Sequence, residues 1–441
     1  MDIFIKIIQL LLSLPILVIF HELGHFVAAK IFKTRVEKFY LFFNPWFSIF
    51  KFKKNYTEYG LGWLPLGGYV KISGMIDESL DKKQLKKPPQ PWEFRSKPAW
   101  QRLIIMLGGV AVNVLLAIAI YIIMLFTWGE QYLPTTEVNK YGIVCDSLAM
   151  EMGLQNGDKI ISIENEPVDD FLKIPLKLIL DEGKTIQIIR NDIPMEIQVP
   201  QGFIGKLIKH KSPDFIFVRF PFEVGDFRKG SPAKEAGLII DDKIIGLNEK
   251  SMIYFDEFYN EIQKHKNEEI SVLLLRNSDT LNINVNVPEE GLIGVYPKSL
   301  DNYFTYNEIN YSFFEAIPAG IIKAYKGIGS YLKQLRLLFS PEVKAYESIG
   351  GFITIGSIFP STWNWEHFWK LTAFLSIMLA ILNVLPIPAL DGGHVMFLFY
   401  EIITRRKPSD KFMEYAQIVG MVILFSLLIF ANGNDIIKLF K

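Results

Sequence analysis

Cysteine is almost absent from this chain, because the 441 residues include one, Cys145. A single thiol excludes an intramolecular disulfide framework and any zinc site built from several cysteines. Cys145 is therefore interpreted as a small apolar residue that fills space. Net charge is also lacking, since 47 basic side chains balance 47 acidic ones. Nucleic-acid binding is marked by a clustered basic surface, and without one we expect no nucleic-acid partner.

Long apolar runs, in contrast, are abundant. Half of the residues are hydrophobic, which favours a membrane protein that also carries soluble domains. Four stretches approach or exceed the length of about 20 residues that a spanning helix needs, and they are 3–32, 103–126, 366–387 and 413–431. The first lacks a basic start and a small-residue cleavage site, so we interpret it as a retained helix, not a signal peptide.

The distribution of lysine and arginine predicts how the spans are oriented. Basic residues concentrate in the connections 33–102 and 388–412. Both connections should therefore be cytoplasmic, which places the N-terminus and the long 127–365 segment outside the cytoplasm.

The outer segment contains an internal repeat. The stretch DSLAMEMGLQNGDKII begins at Asp146, and GSPAKEAGLIIDDKII begins at Gly230. At an offset of 84 positions Asp158 matches Asp242. Each copy predicts a short helix ended by glycine and then an aliphatic strand, a pattern that resembles the bacterial PDZ domain. Such a domain can bind an extended peptide by strand addition, although two α+β spacers that bind nothing would show the same pattern.

Residues 312–340 combine an apolar stripe with lysine and arginine, which is typical of an amphipathic helix at a membrane surface. Pro318 and several glycines predict that this helix is broken. The alternative is a helix that packs only against the second repeat.

The motif HELGH carries the chemistry. His21 and His25 are one helical turn apart, so both can bind one metal ion. Glu22 follows His21 and projects from an adjacent face of the helix, near such an ion but not bound to it. H-E-x-x-H on a helix is a known zinc motif with the glutamate as general base. Polar groups are costly within a membrane span, so a functional site is favoured over groups satisfied by neighbouring helices.

A catalytic zinc ion needs a third protein ligand and an open position. The stretch LNVLPIPALDGGHVMF offers Asp391, followed by two glycines that allow a tight turn. Pro386 and Pro388 should end the third helix just before it, and broken backbone at that depth must line a cavity. His394 is a competing ligand three residues further on, and a plain turn at 391–393 is the alternative without function.

Together these motifs resemble the bacterial site-2 proteases, in particular their two-PDZ, regulator-of-sigma-E type. The resemblance covers essentially the whole chain and includes PLGGYVK at 65–71 and WQR at 100–102. It implies an intramembrane zinc metalloprotease of the bacterial inner membrane, with periplasmic PDZ domains and an active site toward the cytoplasm.

The resemblance also implies one zinc ion per chain. His21, His25 and Asp391 would bind this ion, and Glu22 would activate a water molecule.

Substrate contacts are implied in the same way. Asn383 would hold the substrate backbone, and a membrane-associated β-hairpin with Gly67 and Gly68 would offer it a strand edge. Asn113 occupies the place of a family asparagine near the substrate. The family's usual Gly-Pro-x-x-Asn appears here with Val110 in place of proline.

A second departure lies near the last pair of membrane segments, where Gly351 replaces a proline of the family pattern. Neither departure touches a predicted metal ligand.

The predicted fold class is a polytopic α-helical membrane protein with four transmembrane helices, two tandem PDZ-like α+β domains and the β-hairpin. The expected domains are a first transmembrane helix (1–32), a cytoplasmic-side loop with β-structure (33–98), a second transmembrane helix (99–127), PDZ-like domains at 128–212 and 213–300, an amphipathic segment (301–365), a third transmembrane segment (366–391), a cytoplasmic connection (392–411), a fourth transmembrane helix (412–432) and a tail (433–441).

The predicted function is cleavage of transmembrane segments in single-span membrane proteins. The resemblance implies anti-sigma factors already cut outside the membrane, with signal-peptide remnants as a second class. Two other interpretations stay open at this point, namely a PDZ scaffold or chaperone without catalysis and an ion transporter. The absence of an obvious inverted repeat in the sequence argues against the transporter.

Overall fold

The computed structural model describes residues 2–75, 88–209, 215–340 and 349–440. Its helices are α1 (Asp2–Ile31), α2 (Ala99–Trp128), α3 (Thr135–Val138), α4 (Ser147–Met152), α5 (Ile174–Leu180), α6 (Phe203–Lys209), α7 (Pro232–Glu235), α8 (Phe255–Ile262), α9 (Phe313–Leu337), α10 (Phe352–Ser357), α11 (Trp365–Val384), α12 (Asp391–Thr404) and α13 (Asp410–Leu439).

The strands fall into one group before α2 and a larger group after it. They are β1 (Val36–Phe43), β2 (Phe50–Lys54), β3 (Thr57–Leu61), β4 (Leu64–Ile72), β5 (Glu130–Tyr132), β6 (Ile143–Cys145), β7 (Lys159–Ile163), β8 (Glu166–Pro167), β9 (Thr185–Arg190), β10 (Ile193–Gln198), β11 (Ile216–Val218), β12 (Val224–Phe227), β13 (Lys243–Leu247), β14 (Lys250–Ser251), β15 (Glu269–Arg276), β16 (Asp279–Asn286), β17 (Val295–Pro297) and β18 (Asn307–Ile309).

The chain divides into two compact units. The helical unit comprises Met1–Gly129, Asn310–Arg336 and Ala345–Lys441, and the β unit comprises Glu130–Ile309 and Leu337–Lys344. The predicted boundary between the repeats, at 212 and 213, lies outside the described residues.

Four of the described helices, α1, α2, α11 and α13, are long and apolar enough to cross a membrane. The prediction of four spans is therefore confirmed. The fourth helix is longer than expected, because it continues through the predicted tail to Leu439. Near its end the Asp435 carboxylate accepts hydrogen bonds of 2.9 Å from the backbone N–H groups of Gly351 and Thr354 at the start of α10. The contact satisfies N–H groups at the start of α10 and joins that helix to the last turns of α13.

Glycines bring α1 and α2 into direct backbone contact. A Cβ atom added to Gly24 would lie 2.2 Å from the carbonyl oxygen of Gly108. Small residues allow membrane helices to pack this closely. The close approach matters for function because the neighbouring turns of both helices carry the polar residues of the HELGH region.

The first four strands form one sheet in the order β2-β3-β1-β4. β4 lies at its edge and packs against α1, and among the described residues no other strand pairs with its outer side. At Gly68 a Cβ atom would lie 2.7 Å from the Val18 side chain of α1. Glycine at this position therefore lets the strand lie directly on the helix.

The structure of the helix at 312–340 differs from two interpretations of the sequence. α9 is continuous from Phe313 to Leu337 with Pro318 inside it. The predicted break is wrong, because the helix continues past Pro318 although proline lacks a backbone N–H group. The alternative of a helix packed only against the second repeat is also wrong, since Ala324 is buried in a cluster with residues of α2 and α11.

In the β unit the two sequence repeats fold in the same order. One sheet has the order β10-β9-β7-β8 and the other β14-β13-β15-β16, so β7 and β13 occupy matching central positions. Each sheet packs over its own buried apolar cluster. The sequence repeat thus corresponds to a structural repeat.

A matching ion pair supports this correspondence. Asp158 accepts two hydrogen bonds of 2.7 Å from Arg190, and Asp242 accepts two of 2.7 Å from Arg276. Each arginine also donates to the carbonyl of the glycine that ends the preceding helix. The bidentate geometry joins equivalent strands and turns in both repeats.

The thiol of Cys145 is expected to be inert in the folded protein. Its side chain lies in the first repeat and is 6% exposed. Burial raises the pKa of the thiol to about 12, and the nearby Asp158 and Asp146 carboxylates add to this effect. Since the thiolate is the reacting form, a shift of about three pKa units lowers its population roughly a thousandfold.

Maleimide labelling at pH 8 should therefore be slow in native protein and fast in urea. Equal rates in both states would contradict this prediction, and a Cys145→Ser variant gives the background.

Candidate active site

Two histidines of α1 project from one face of the helix. His21 and His25 are separated by one turn, and 9% and 6% of their surfaces are exposed. Glu22 lies on the same turn and is half-buried. Since the four-residue spacing aligns successive side chains, the continuous helix is what brings the two imidazole rings together.

Asp391 reaches the same place from the other end of the chain. α11 ends at Val384, residues 385–390 are not helical, and Asp391 is the first residue of α12. Within this connection Ala389 has a φ of +81°, a left-handed conformation that is unusual for alanine. The proline-rich connection thus turns the chain sharply and places the carboxylate beside α1.

The three side chains form a nearly equilateral triangle of ligand atoms. The Nε2 atoms of His21 and His25 are 3.3 Å apart, and each lies 3.2 Å from Asp391 Oδ2. A tetrahedral zinc ion with bonds of about 2.0–2.1 Å separates its ligands by roughly 3.3 Å. The spacing therefore fits a tetrahedral metal ion.

The hydrogen bonding of the cluster leads to the same conclusion. Asp391 Oδ2 is buried and accepts no hydrogen bond within the described part of the chain. Oδ2 nevertheless lies close to the Nε2 atoms of His21 and His25, so the lone pairs of all three atoms occupy a small volume. A cation among them would satisfy all three atoms, which is the chemistry of a His-His-Asp zinc site.

His25 is held in the tautomer that a metal requires. Its Nδ1–H donates a hydrogen bond of 2.9 Å to the backbone carbonyl of Ile105 on α2. A carbonyl can only accept, so the proton must be on Nδ1 and the Nε2 lone pair faces the cluster. Contacts of this kind fix ring orientation and strengthen metal ligands.

Asn113, also on α2, performs the corresponding task for His21. The Asn113 amide nitrogen lies 3.2 Å from His21 Nδ1, while the Asn113 Oδ1 atom is buried without a partner. The two amide orientations differ only in which atom faces the ring. With the amide turned over, Oδ1 accepts the Nδ1 proton and His21 Nε2 is free for a metal. This orientation satisfies the imidazole ring, and the Asn113 amide nitrogen then takes the buried place in which Oδ1 has no partner among the described residues.

Gly109 provides the space in which the two rings meet. A Cβ atom at this position would lie 2.4 Å from His25 Nε2 and 2.7 Å from His21 Cε1. Any side chain here would displace both imidazole rings. The glycine is therefore as important for the geometry as the histidines are for the chemistry.

The remaining predicted residues lie around the cluster. The Asn383 amide nitrogen is 3.4 Å from His21 Nε2; a metal on Nε2 would remove this acceptor and leave the amide available to another group. His394, the competing ligand, is buried on α12 but does not belong to the described cluster of His21, His25 and Asp391.

The two predicted glycines of the hairpin lie on β4. Gly67 has a φ of +144°, and a Cβ atom on Gly68 would lie 3.5 Å from Glu22 Cγ. The edge strand therefore passes beside the glutamate of the HELGH motif.

Sequence reasoning missed Gln417. This residue is 4% exposed on α13, and its side-chain oxygen accepts a 3.3 Å hydrogen bond from the backbone N–H of Ala389. At Gly420, a Cβ atom would lie 1.7 Å from the Pro388 carbonyl oxygen. Together they support the connection that carries Asp391. The available signal was a lone glutamine and a glycine three residues apart in an apolar span.

Comparisons with known proteins identify related chains. The model of peptidase family M50 matches residues 9–427. A Vibrio cholerae protein named as a zinc metalloprotease is 27% identical over 99% of this chain and 100% of its own length. The regulator of sigma E protease of Haemophilus influenzae is 26% identical over 97% of this chain and 98% of its own. Protease RseP of Yersinia pestis is 26% identical over the full length of both chains.

Proposed function

Because the chain belongs to peptidase family M50, the site-2 protease family, and is a zinc metalloprotease of the membrane, we propose that it cleaves peptide bonds within transmembrane segments of single-span membrane proteins. The observation that carries this proposal is the triangle of His21, His25 and Asp391 on helices long and apolar enough to span a membrane. We propose that these three side chains bind the zinc ion. The bound ion supplies Lewis acidity, which lowers the pKa of water and polarises a peptide carbonyl group.

Glu22 is the proposed general base. Its position one residue after His21 supports this role, because Glu22 lies on the same helical turn as a ligand and does not belong to the triangle. Glu22 would take a proton from the attacking water molecule and then deliver it to the nitrogen of the leaving amine. The peptide bond breaks between the carbonyl carbon and this nitrogen, and the products are a carboxylate and an amine.

The substrate must be extended before it can react, because a helix hides its own backbone. Among the described residues, no strand pairs with the outer edge of β4 next to Glu22, and this edge supports binding by strand addition. Asn383, whose amide lies beside the cluster, would donate a hydrogen bond to a substrate carbonyl. Both contacts would hold an unwound segment across the ligand cluster.

The β unit is the proposed selectivity element. Its two repeats share one strand order, which supports tandem PDZ-like domains outside the cytoplasm, as the basic connections between the spans also indicate. They would exclude proteins with an intact bulky outer domain and admit those already cut. Anti-sigma-factor-like proteins are the proposed main substrates, since relatives are named as regulators of sigma E, with signal-peptide remnants as a second class.

A reporter in proteoliposomes tests the proposed substrate class. The zinc-loaded protein should cleave a single-span reporter that lacks its outer domain, and mass spectrometry should map the cut inside the apolar segment. The same reporter with a folded outer domain should be cleaved more slowly, because the repeats would exclude it. Cuts found only outside the apolar segment would refute intramembrane cleavage, whereas equal rates for both reporters would refute the size filter alone.

A further inference from the structure

We propose that a cavity at the base of the first sheet binds the phosphate group of an anionic phospholipid. The basal cavity has a volume of about 430 Å³, and its lining includes Arg35, Lys38, Lys53, Tyr56, Trp92 and Glu93. This volume lies within the range of small-ligand sites. The first residue of its lining, Arg35, follows the end of α1 at Ile31, and the cavity shares no residue with the His-His-Asp cluster.

Arg35 is the central observation. Its Nε atom is buried and has no hydrogen-bond acceptor among the described residues, and its guanidinium forms no ion pair with a described carboxylate. Arginine carries five N–H donors, and leaving a buried donor unpaired is costly. A bound anion would supply the missing acceptors.

The guanidinium is also held in place for such a ligand. It stacks on the Tyr56 ring at 4.1 Å from the ring centroid. The backbone N–H of Arg35 donates to the carbonyl of Trp92, and its carbonyl accepts from the N–H of Ser73, both at 2.9 Å. Since both the backbone and the side chain are fixed, little ordering would be needed on binding.

The acidic side chains of the lining do not neutralise this site. Glu37 pairs with Lys71 at 3.7 Å, and Glu93 pairs with Arg95 at 2.6 Å. Glu58 accepts a hydrogen bond of 2.8 Å from the Tyr40 hydroxyl group. Glu37 and Glu93 thus have cationic partners of their own, whereas Glu58 keeps its negative charge.

Among the described residues, the basic side chains of the cavity outnumber the acidic ones that lack a cationic partner. Lys38 forms no ion pair with a described carboxylate, and Lys53 lies opposite Glu58 in the strand register without reaching ion-pair distance. With Arg35, they leave an excess of positive charge. An anion with several oxygen atoms, such as a phosphate group, matches this arrangement.

The surroundings favour a lipid as the source of the phosphate. β2 has the sequence FKFKK and is exposed throughout, with Phe50 and Phe52 at 60% and 50% exposure. Alternating aromatic and lysine residues at the end of a spanning helix are typical of a membrane interface. In the orientation proposed above, this interface faces the cytoplasmic leaflet, where anionic lipids attract basic segments.

Lipid retention tests the proposal on the full-length protein. Native mass spectrometry would measure retained phosphatidylglycerol for the wild type and for Arg35→Gln/Lys38→Gln. Each basic residue contributes roughly a fivefold change in affinity, so the double variant should bind about 25-fold more weakly. Lys54→Gln is the matched control, because Lys54 is an exposed neighbour of Lys53 on β2 that does not line the cavity. Its retention of phosphatidylglycerol should therefore stay close to that of the wild type.

The other outcomes are equally informative. Displacement of phosphatidylglycerol by millimolar inorganic phosphate would support the same anion site with a soluble source, whereas resistance would support the lipid headgroup. Equal losses in the double variant and in Lys54→Gln would overturn the proposal, since they indicate unspecific attraction. Unchanged retention in Arg35→Gln would overturn it as well. Zinc content, which does not depend on this cavity, reports whether each variant is folded.

Discussion

Replacing Glu22 with glutamine is expected to abolish hydrolysis while leaving the zinc ion bound. The amide keeps the size and the hydrogen-bonding capacity of the side chain but cannot take a proton from water. General-base catalysis contributes about 10²–10⁴-fold to a rate, so cleavage of a reporter segment should fall by at least 100-fold. Zinc content should remain that of the wild type, because Glu22 is outside the triangle formed by His21, His25 and Asp391.

Glu366→Gln is a suitable control for this experiment. Glu366 is an exposed glutamate in the first turn of α11, so the variant removes the same charge without touching the cluster. Its cleavage rate should equal that of the wild type. If metal-replete Glu22→Gln protein cleaves the reporter at the wild-type rate, Glu22 is not the general base.

The spans and the repeat could be predicted from the sequence because both leave local signals. Length and apolarity identify α1, α2, α11 and α13 without knowledge of their neighbours. The repeat is visible because Asp158 and Asp242 have the same neighbours in sequence, and they also have matching arginine partners in the structure.

The expected break in α9 failed for a physical reason. Its glycines looked like helix breakers, but in the structure Gly320 is a packing site. A Cβ atom at Gly320 would lie 2.5 Å from the Ile122 side chain of α2, so the glycine allows close approach between two helices. Tertiary packing thus outweighed local propensity.

In the candidate site too, the sequence predicts what local chemistry determines and misses what packing determines. HELGH and the LDG motif each identify ligand types by local chemistry, and the structure brings His21, His25 and Asp391 together. Their supporting residues could not be found in this way. The contacts of Asn113 and Gln417 depend on which helix faces meet, and a single sequence does not contain that information. The α12 helix, which lies in a segment expected only as a connection, was missed for the same reason.

Gly109 is the supporting position with the largest expected effect. Replacing it with alanine would place a methyl group 2.4 Å from His25 Nε2 and 2.7 Å from His21 Cε1. Contacts this short cannot persist, so either the rings rotate away from Asp391 or α1 and α2 separate. Overpacking costs about 1–3 kcal/mol, and misplaced ligands should weaken zinc binding by about 10–100-fold. Both cleavage and zinc content should therefore fall.

Zinc content measured by mass spectrometry on purified protein checks this expectation without relying on activity. Gly329→Ala is the matched control, since Gly329 is also a helical glycine, in α9, but a Cβ atom there would have no neighbour within 4 Å. That variant should retain its zinc and gain slightly in stability, because alanine favours the helix. If Gly109→Ala retained as much zinc as Gly329→Ala, the two imidazole rings would not depend on the space that this glycine leaves. The close contact of α1 and α2 would then serve the packing of the helices alone.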